Sequence, residues 1–381
     1  MKASDAQHSM TRDRFITHPG RLVVLGFSAL IAAGAALLAL PISQAEGGSG
    51  ASAGEAAFTA ASAVTVTGLA VVDTGTTWSP FGEVVLLLLI QVGGLGIMTL
   101  AGFVGISLNR RLRLRSGLLA GEEIGLSDLG TLRSLITGLV RFVFIAEAVT
   151  AILLSARFLL LGDHSVQHAV HLGVFHAVSA FNNAGFSILD AGLEPYVGDW
   201  FVNLVIAGSF ILGGIGFPIV FELRRKWRDP KHWSLQTKVT LTTYAGLLFG
   251  GAVMIGLAEW SNPATFGPLH TDERILASFF QSATARTAGF NTVPIGELRA
   301  ASWLIMIPLM VVGAGSASTG GGIKVSTLAV VVKATTAELR RDAKMTLFDR
   351  HVPEAQQRQA LALVVAALGA IGAGTFVLAL T

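Results

Sequence analysis

The chain has 381 residues, of which 52% are hydrophobic and only 13% charged, with 27 Lys and Arg against 24 Asp and Glu. A soluble domain carries about 25% charged residues, so this composition excludes a water-soluble globular fold. There is no cysteine, which excludes a disulfide framework, a thiolate nucleophile and a thiolate metal site.

Residues 1–21 are polar and carry Lys2, Arg12, Arg14 and Arg21 ahead of an apolar stretch at 22–40. Its 19 residues are long for a signal-peptide core and long enough to cross a hydrocarbon layer, so the stretch reads as a retained helix. Further long apolar stretches follow at 81–107, 135–161, 200–223, 239–258, 302–335 and 360–380. Shorter, moderately apolar runs lie between some of them, near 54–64, 168–181 and 273–284. Such runs are too short to cross a bilayer, so they read as re-entrant or interfacial segments.

The basic residues cluster between the spans. Segments 1–21, 108–133, 224–238 and 333–358 hold 21 of the 27, including Arg110, Arg111, Arg113, Arg115 and Arg133 in the second and Arg224, Arg225, Lys226, Arg228, Lys231 and Lys238 in the third. The complementary segments 41–80, 162–199 and 259–301 hold only Arg274, Arg286 and Arg299. By the positive-inside rule the N-terminus is cytoplasmic and all three short runs lie on the outer side. Placed this way, the basic charge belongs to cytoplasmic loops and not to a nucleic-acid surface.

Each short run ends in related residues: Ser62-Ala-Val-Thr-Val-Thr-Gly68-Leu69, then Ser179-Ala-Phe-Asn-Asn-Ala-Gly185-Phe186, then Ser282-Ala-Thr-Ala-Arg-Thr-Ala-Gly289-Phe290, one residue longer. The helices that follow the first two also correspond, through Gln91-Val-Gly-Gly-Leu-Gly96 and Ile211-Leu-Gly-Gly-Ile-Gly216. The chain is therefore a tandem of helix, half-helix with a glycine loop, and helix. Non-helical backbone survives at membrane depth only where it is buried in protein or lines a wet cavity. Repeated about one axis, such loops can present carbonyl rings that replace an ion's hydration shell. Leu69, Phe186 and Phe290 are expected to pack behind the loops.

The stretch 302–335 is too long for one plain span. It is interrupted by Gly313-Ala-Gly-Ser-Ala-Ser-Thr-Gly-Gly-Gly-Ile-Lys324, five of whose twelve residues are glycine. A phosphate-binding loop is excluded, because Ile323 separates the last glycine from Lys324 and Val325 follows it. A dinucleotide fingerprint is excluded because apolar helix, not a strand, flanks the segment. Unwound backbone lining a pore is the remaining reading. Lys324 is either a functional charge there or a side chain snorkelling to the cytoplasmic surface.

His164, His168 and His171 share one helical face and suit a zinc or proton site only weakly, since the segment lies at a wet outer mouth. Arg286, inside the third loop, is expected to point backward and donate to loop carbonyls. Arg141 and Arg157 are expected to snorkel. Asp73 and Glu83 flank the first loop, where carboxylates would concentrate cations. No convergent nucleophile, base or metal-ligand set lies within the spans, which argues against an enzyme.

These motifs resemble the Trk/Ktr potassium-transporter superfamily, closest to the prokaryotic Ktr-type membrane subunit. The residues that carry the resemblance are Ser62–Leu69, Ser179–Ser187, Thr284–Thr292 and Gly315–Lys324. It implies an all-α membrane protein of helix–pore-loop–helix repeats around a central pore: 22–115 with loop 65–69, 132–228 with loop 182–186, and 237–335 with loop 285–290 and the broken helix 302–335. Residues 358–381 then form the first helix of a fourth repeat, and the sequence reads as truncated before that repeat's loop. The implied selectivity filter comprises Val66, Thr67, Gly68 and Leu69; Asn183, Ala184, Gly185 and Phe186; and Thr287, Ala288, Gly289 and Phe290. The implied gate comprises Gly313, Gly315, Ser316, Ser318, Thr319, Gly320, Gly321, Gly322 and Lys324. In that family glycine at the first filter position goes with K+ and serine with Na+. The resemblance also implies a membrane homodimer in the cell membrane, controlled by a cytoplasmic ring that binds ATP, ADP or NAD. A symporter coupled to Na+ or H+ is the alternative, although such transporters show inverted repeats and these units all start from one side.

Overall fold

The computed structural model describes residues 19–45, 50–116, 127–162, 164–189, 191–341, 345–348 and 350–380. The basic side chains expected to orient the chain at Lys2, Arg12, Arg14, Arg110, Arg111, Arg113, Arg115, Arg133 and Lys344 lie outside the residues whose side chains are described.

The architecture is helical. In chain order the main helices are α1 (Pro19–Leu38), α2 (Ala53–Val64), α3 (Pro80–Ser116), α4 (Ser127–Leu161), α5 (Val166–Phe181) and α6 (Trp200–Ile215). They continue as α7 (Phe217–Lys226), α8 (Leu235–Glu259), α9 (Thr271–Thr284), α10 (Ala300–Val311), α11 (Val325–Arg340) and α12 (Glu354–Ala379). A two-stranded hairpin, β1 (Thr346–Leu347) with β2 (Arg350–His351), joins the last two helices. Among the described residues, five of the helices are long and apolar enough to cross a membrane, at Arg21–Leu38, Pro80–Leu100, Ile136–Leu161, Leu235–Glu259 and Glu354–Ala379.

The three short helices α2, α5 and α9 begin where side chains cap them. Ser52 Oγ accepts from the Glu55 N–H at 3.3 Å while the Glu55 carboxylate accepts from the Ser52 N–H at 2.7 Å, a reciprocal capping box. Those bonds, the backbone donor first and the serine hydroxyl second, hold the Glu55 carboxyl below its ordinary value. Ser165 accepts from His168 N–H at 3.3 Å, and Glu273 accepts from His270 N–H at 2.8 Å. With 12, 16 and 14 residues, these helices reach about 18–24 Å at 1.5 Å per residue. Each stops inside the protein, and its last turn is buried.

Sequence reading and structure part at 200–223. That stretch is not one continuous helix: α6 ends at Ile215, α7 starts at Phe217, and the two are bent by 100°. The cause is local. Gly216 adopts φ +99° and Pro218 stands in the first turn of α7, where a missing N–H and a bulky ring cannot continue the preceding helix. The corresponding segment of the first unit, Gly93-Gly-Leu-Gly-Ile-Met98, carries methionine where the second carries Pro218, and α3 runs through it unbroken.

Close packing of small residues sets the short helices against their neighbours. Gly93 of α3 meets the Val64 carbonyl at the end of α2, and Gly213 of α6 meets the Phe181 carbonyl at the end of α5. A β-carbon at either position would overlap that oxygen, so glycine is required for the approach. One apolar core joins these elements, through Leu38, Val64, Leu86, Phe158, Phe186, Phe210 and Phe290 among others.

Candidate ion path between the short helices

Beyond each short helix the chain turns into a loop with a shared backbone pattern. Val66 and Gly68 have φ +54° and +81°, Asn183 and Gly185 have +58° and +72°, and Thr287 and Gly289 have +72° and +80°. A left-handed residue two positions ahead of a left-handed glycine recurs three times. Left-handed backbone is uncommon outside glycine, so its recurrence in three separate loops is a property of the motif. The loops are anchored alike: Thr67 N–H donates to Ser62 O at 2.8 Å, Ala184 N–H to Ser179 O at 2.8 Å, and Ala288 N–H to Thr284 O at 3.0 Å. Hydroxyls brace two of them from behind, Ser179 Oγ donating to Phe186 O and Thr284 Oγ1 to Phe290 O, both at 2.7 Å.

The three glycines meet. A β-carbon on Gly185 would stand 2.7 Å from Ala288 O, one on Gly289 would stand 3.0 Å from the Gly185 Cα, and one on Gly68 would overlap Ala184 O. Gly68, Gly185 and Gly289 line a single cavity of about 360 Å³, together with Asp73 and Glu194. Asp73 thus reaches the cavity, although its carboxylate is engaged by the Thr76 N–H and hydroxyl, both at 2.9 Å. Glu83 does not line it. It is buried in the first turn of α3 and hydrogen-bonded to His171.

The residues behind the glycines are less uniform than their sequence suggests. Phe186 and Phe290 are both 2% exposed, and the His176 ring of α5 lies 6.3 Å from that of Phe290. Leu69, expected to pack in the same way, is 61% exposed.

The segment 312–324 connects α10 to α11 without helix. It folds back on itself through Gly313 N–H to Ile323 O at 3.0 Å, Ile323 N–H to Val311 O at 2.9 Å and Val325 N–H to Ala314 O at 3.2 Å. Its far edge rests on the end of α6, with Gly315 N–H on Gly214 O at 2.8 Å and Thr319 N–H on Gly213 O at 3.3 Å. Gly320 approaches the third glycine loop, since a β-carbon there would lie 2.7 Å from Thr287 Oγ1. Ser318 Oγ donates to Gly315 O at 2.7 Å. Ser316 Oγ lies 3.4 Å from Ser326 Oγ. Lys324 does not snorkel: its Nζ donates to Gly320 O at 2.6 Å and so closes the loop on itself.

Arg286 does point backward, but its partner is not a loop carbonyl. The guanidinium donates from Nη1 to the Tyr244 backbone oxygen of α8 at 3.1 Å and lies over the Tyr244 ring, with Cζ 3.3 Å from the centroid. The planar cation finds an aromatic face close by and stacks on it. Arg157, expected to snorkel, is instead paired with Asp199 at 2.9 Å. His164 and His168 are ring neighbours at 5.0 Å, while His171 is taken by Glu83. Among the described residues no group of three or more His, Cys, Asp or Glu could hold a metal ion.

Sequence reading missed a buried polar knot behind the second loop. Asn182 Nδ2 donates to Glu147 Oε1 at 3.0 Å and lies 3.4 Å from Gln91 Oε1. Its signal was available, since Glu147 is the sole acidic residue of the apolar stretch 135–161 and an intramembrane ionisable group is a functional candidate.

The chain is similar to known proteins along most of its length. The family model described as TrkH, cation transport protein, matches residues 36–365. Over 371 residues the chain is 40% identical to Ktr system potassium uptake protein B of Vibrio alginolyticus, covering 97% of this chain and 80% of that protein. It is also 40% identical over 363 residues to the protein of that name from Bacillus subtilis, covering 95% and 80%. The crystal structure of the potassium transporter TrkH from Vibrio parahaemolyticus superposes with a TM-score of 0.66 at 19% identity, over 95% of this chain and 70% of that one, a likeness of fold. With a family model spanning most of its length and relatives this similar over nearly all of it, the chain belongs to the TrkH/Ktr family of cation transport proteins.

Proposed function

We propose that the chain is the potassium-translocating membrane subunit of a Trk/Ktr-type uptake system in the cell membrane, with its N-terminus cytoplasmic. Its relatives are named for potassium uptake. The three units 22–115, 132–228 and 237–335 surround one ion path, and 358–381 begins a fourth. Loops 65–69, 182–186 and 285–290 form the selectivity filter, through Val66–Leu69, Asn183–Phe186 and Thr287–Phe290. Residues 313–324 form the gate beneath it. The observation that carries this reading is the lining of one cavity by Gly68, Gly185 and Gly289, each two residues after another left-handed residue. Left-handed residues turn their carbonyls away from the direction that extended backbone would set, so successive oxygens can face one axis and replace a cation's water shell. The dipoles of α2, α5 and α9, ending beside the loops, favour a cation in the same place.

The assembly we propose is a membrane homodimer under a cytoplasmic nucleotide-binding ring, with K+ as cargo. The test is uptake of K+ and Na+ by cells that lack their own potassium-uptake systems and express this gene. Growth at low external K+, with uptake that favours K+ over Na+, is the expected result. Absence of K+ uptake from cells whose membranes contain the folded protein would overturn the proposal.

A further inference from the structure

The loop 313–324 is not loosely suspended. It is seated in the break of the second unit's helix. Pro218 has no N–H to offer Gly214 O, its partner four residues earlier in an uninterrupted helix, and Gly315 N–H occupies that oxygen instead at 2.8 Å. Gly213 O, which Phe217 N–H would otherwise reach, receives Thr319 N–H at 3.3 Å, while Phe217 N–H turns to Ala317 O at 3.3 Å. The loop therefore caps both sides of the 100° joint between α6 and α7. Buried helix ends need such partners.

One atom at this seat also touches the second glycine loop. Thr319 Oγ1 accepts from Asn183 Nδ2 at 2.7 Å and donates to Phe181 O at 3.2 Å. Asn183 Nδ2 is completed by Phe210 O of α6 at 3.1 Å. Thr319 and Asn183 are 3% and 2% exposed, so water does not substitute easily for either partner. Asn183 itself is held at φ +58°, which ties its side-chain position to the loop's backbone conformation.

We propose that Asn183 and Thr319 form a latch that couples the second filter loop to the gate loop, so that unseating the gate from the α6–α7 joint and altering the filter happen together. Asn183 acts here as a positioning residue. The inference rests on reading 182–186 as filter and 313–324 as gate.

The experiment measures K+ and Na+ flux through protein in liposomes without any cytoplasmic partner. Its variants are Thr319→Val, Thr319→Ser, Asn183→Gly and the double variant Thr319→Val with Asn183→Gly, with Gly68→Ser as a control on the filter. A lost buried hydrogen bond of ordinary strength corresponds to about a fivefold rise in flux for Thr319→Val and for Asn183→Gly. The double variant should rise no further than either single one, and Thr319→Ser, which keeps the hydroxyl, should fall nearer the parent than Thr319→Val. Should Asn183→Gly not accumulate in the membrane, Asn183→Ala, which has no side-chain donor or acceptor, takes its place. Independent multiplication of the two single effects overturns the latch, as does a Thr319→Ser variant displaced as far as Thr319→Val. If Gly68→Ser shifts the K+/Na+ ratio in that case, the filter reading stands and the latch alone fails. If Gly68→Ser also leaves the ratio unmoved, the filter reading fails with it.

Discussion

A β-carbon added to Gly289 would stand 3.0 Å from the Cα of Gly185, so loops separated by about a hundred residues of chain meet backbone to backbone. Side chains have no room at this junction. On the proposed reading of these loops as a selectivity filter, backbone-to-backbone contact would set where the carbonyl oxygens stand.

Gly68→Ser should therefore lower the preference for K+ over Na+. Serine resists φ +81°, and its Cβ would run into Ala184 O, forcing the first and second loops apart. A differential cost of ~1.4 kcal/mol between the two ions corresponds to about a tenfold loss of selectivity. The check is the ratio of K+ to Na+ uptake in cells expressing the variant at parental levels. A ratio equal to the parent's would remove Gly68 from the filter.

Shortening the loop 313–324 should raise flux and weaken its dependence on a cytoplasmic partner. A run with five glycines in twelve residues would by composition alone change shape at low cost. The structure instead shows backbone hydrogen bonds at Gly313, Gly315, Thr319 and Ile323 and a Lys324 cap on Gly320. Deleting Gly320–Gly322 would remove that cap and the fold-back turn together. Flux measured with and without the partner decides the matter, and a well-folded deletion variant that conducts and responds like the parent would make the loop a packing kink.

Hydropathy and length alone located the short helices to within two residues, because a run of 12–16 residues cannot both be helical and cross a membrane. The loops were legible too, since their glycines recur after corresponding residues. Partnership across the fold was not. Nothing in the letters around Arg286 says that its guanidinium stacks on Tyr244, 42 residues earlier. The exposure of Leu69 was equally hidden, since the residues at the matching position of the other two loops, Phe186 and Phe290, are buried. The break at Gly216 was legible and overlooked: Gly216-Phe-Pro218 interrupts an apolar stretch with the two residues least suited to a helix interior.

The Arg286–Tyr244 pair should carry stability through its ring. Tyr244→Phe keeps the aromatic face and should unfold close to the parent. Tyr244→Leu removes the face under a buried guanidinium that otherwise holds one backbone carbonyl, at a cost of about 2 kcal/mol for a desolvated cation–π contact. Thermal unfolding in detergent would separate the two variants, and equal midpoints would mean that the stacking contributes nothing. Arg286→Lys should resemble Tyr244→Leu, because a compact ammonium cannot lie flat over the ring while also reaching the Tyr244 oxygen.

Pro218→Met should straighten the joint between α6 and α7. It gives the second unit the residue that the first carries at Met98, where α3 is continuous. The restored N–H can donate to Gly214 O, in competition with Gly315, and proline's clash with the preceding turn disappears, a change worth ~3 kcal/mol within a helix. Against it stand the loop's caps on Gly213 and Gly214, each contributing about 1 kcal/mol net. The helical terms are the larger, so the bend should open and the loop should lose its seat. Because the chain has no cysteine, spin labels can be attached at Trp200→Cys and Arg225→Cys without background. Helices of 16 and 10 residues bent by 100° place positions 200 and 225 about 25 Å apart, whereas a straight helix places them about 38 Å apart at 1.5 Å per residue. A shift of the measured distance toward the longer value, accompanied by higher flux, is the expected outcome. A distance that stays short would mean that packing around α7, and not Pro218, holds the bend.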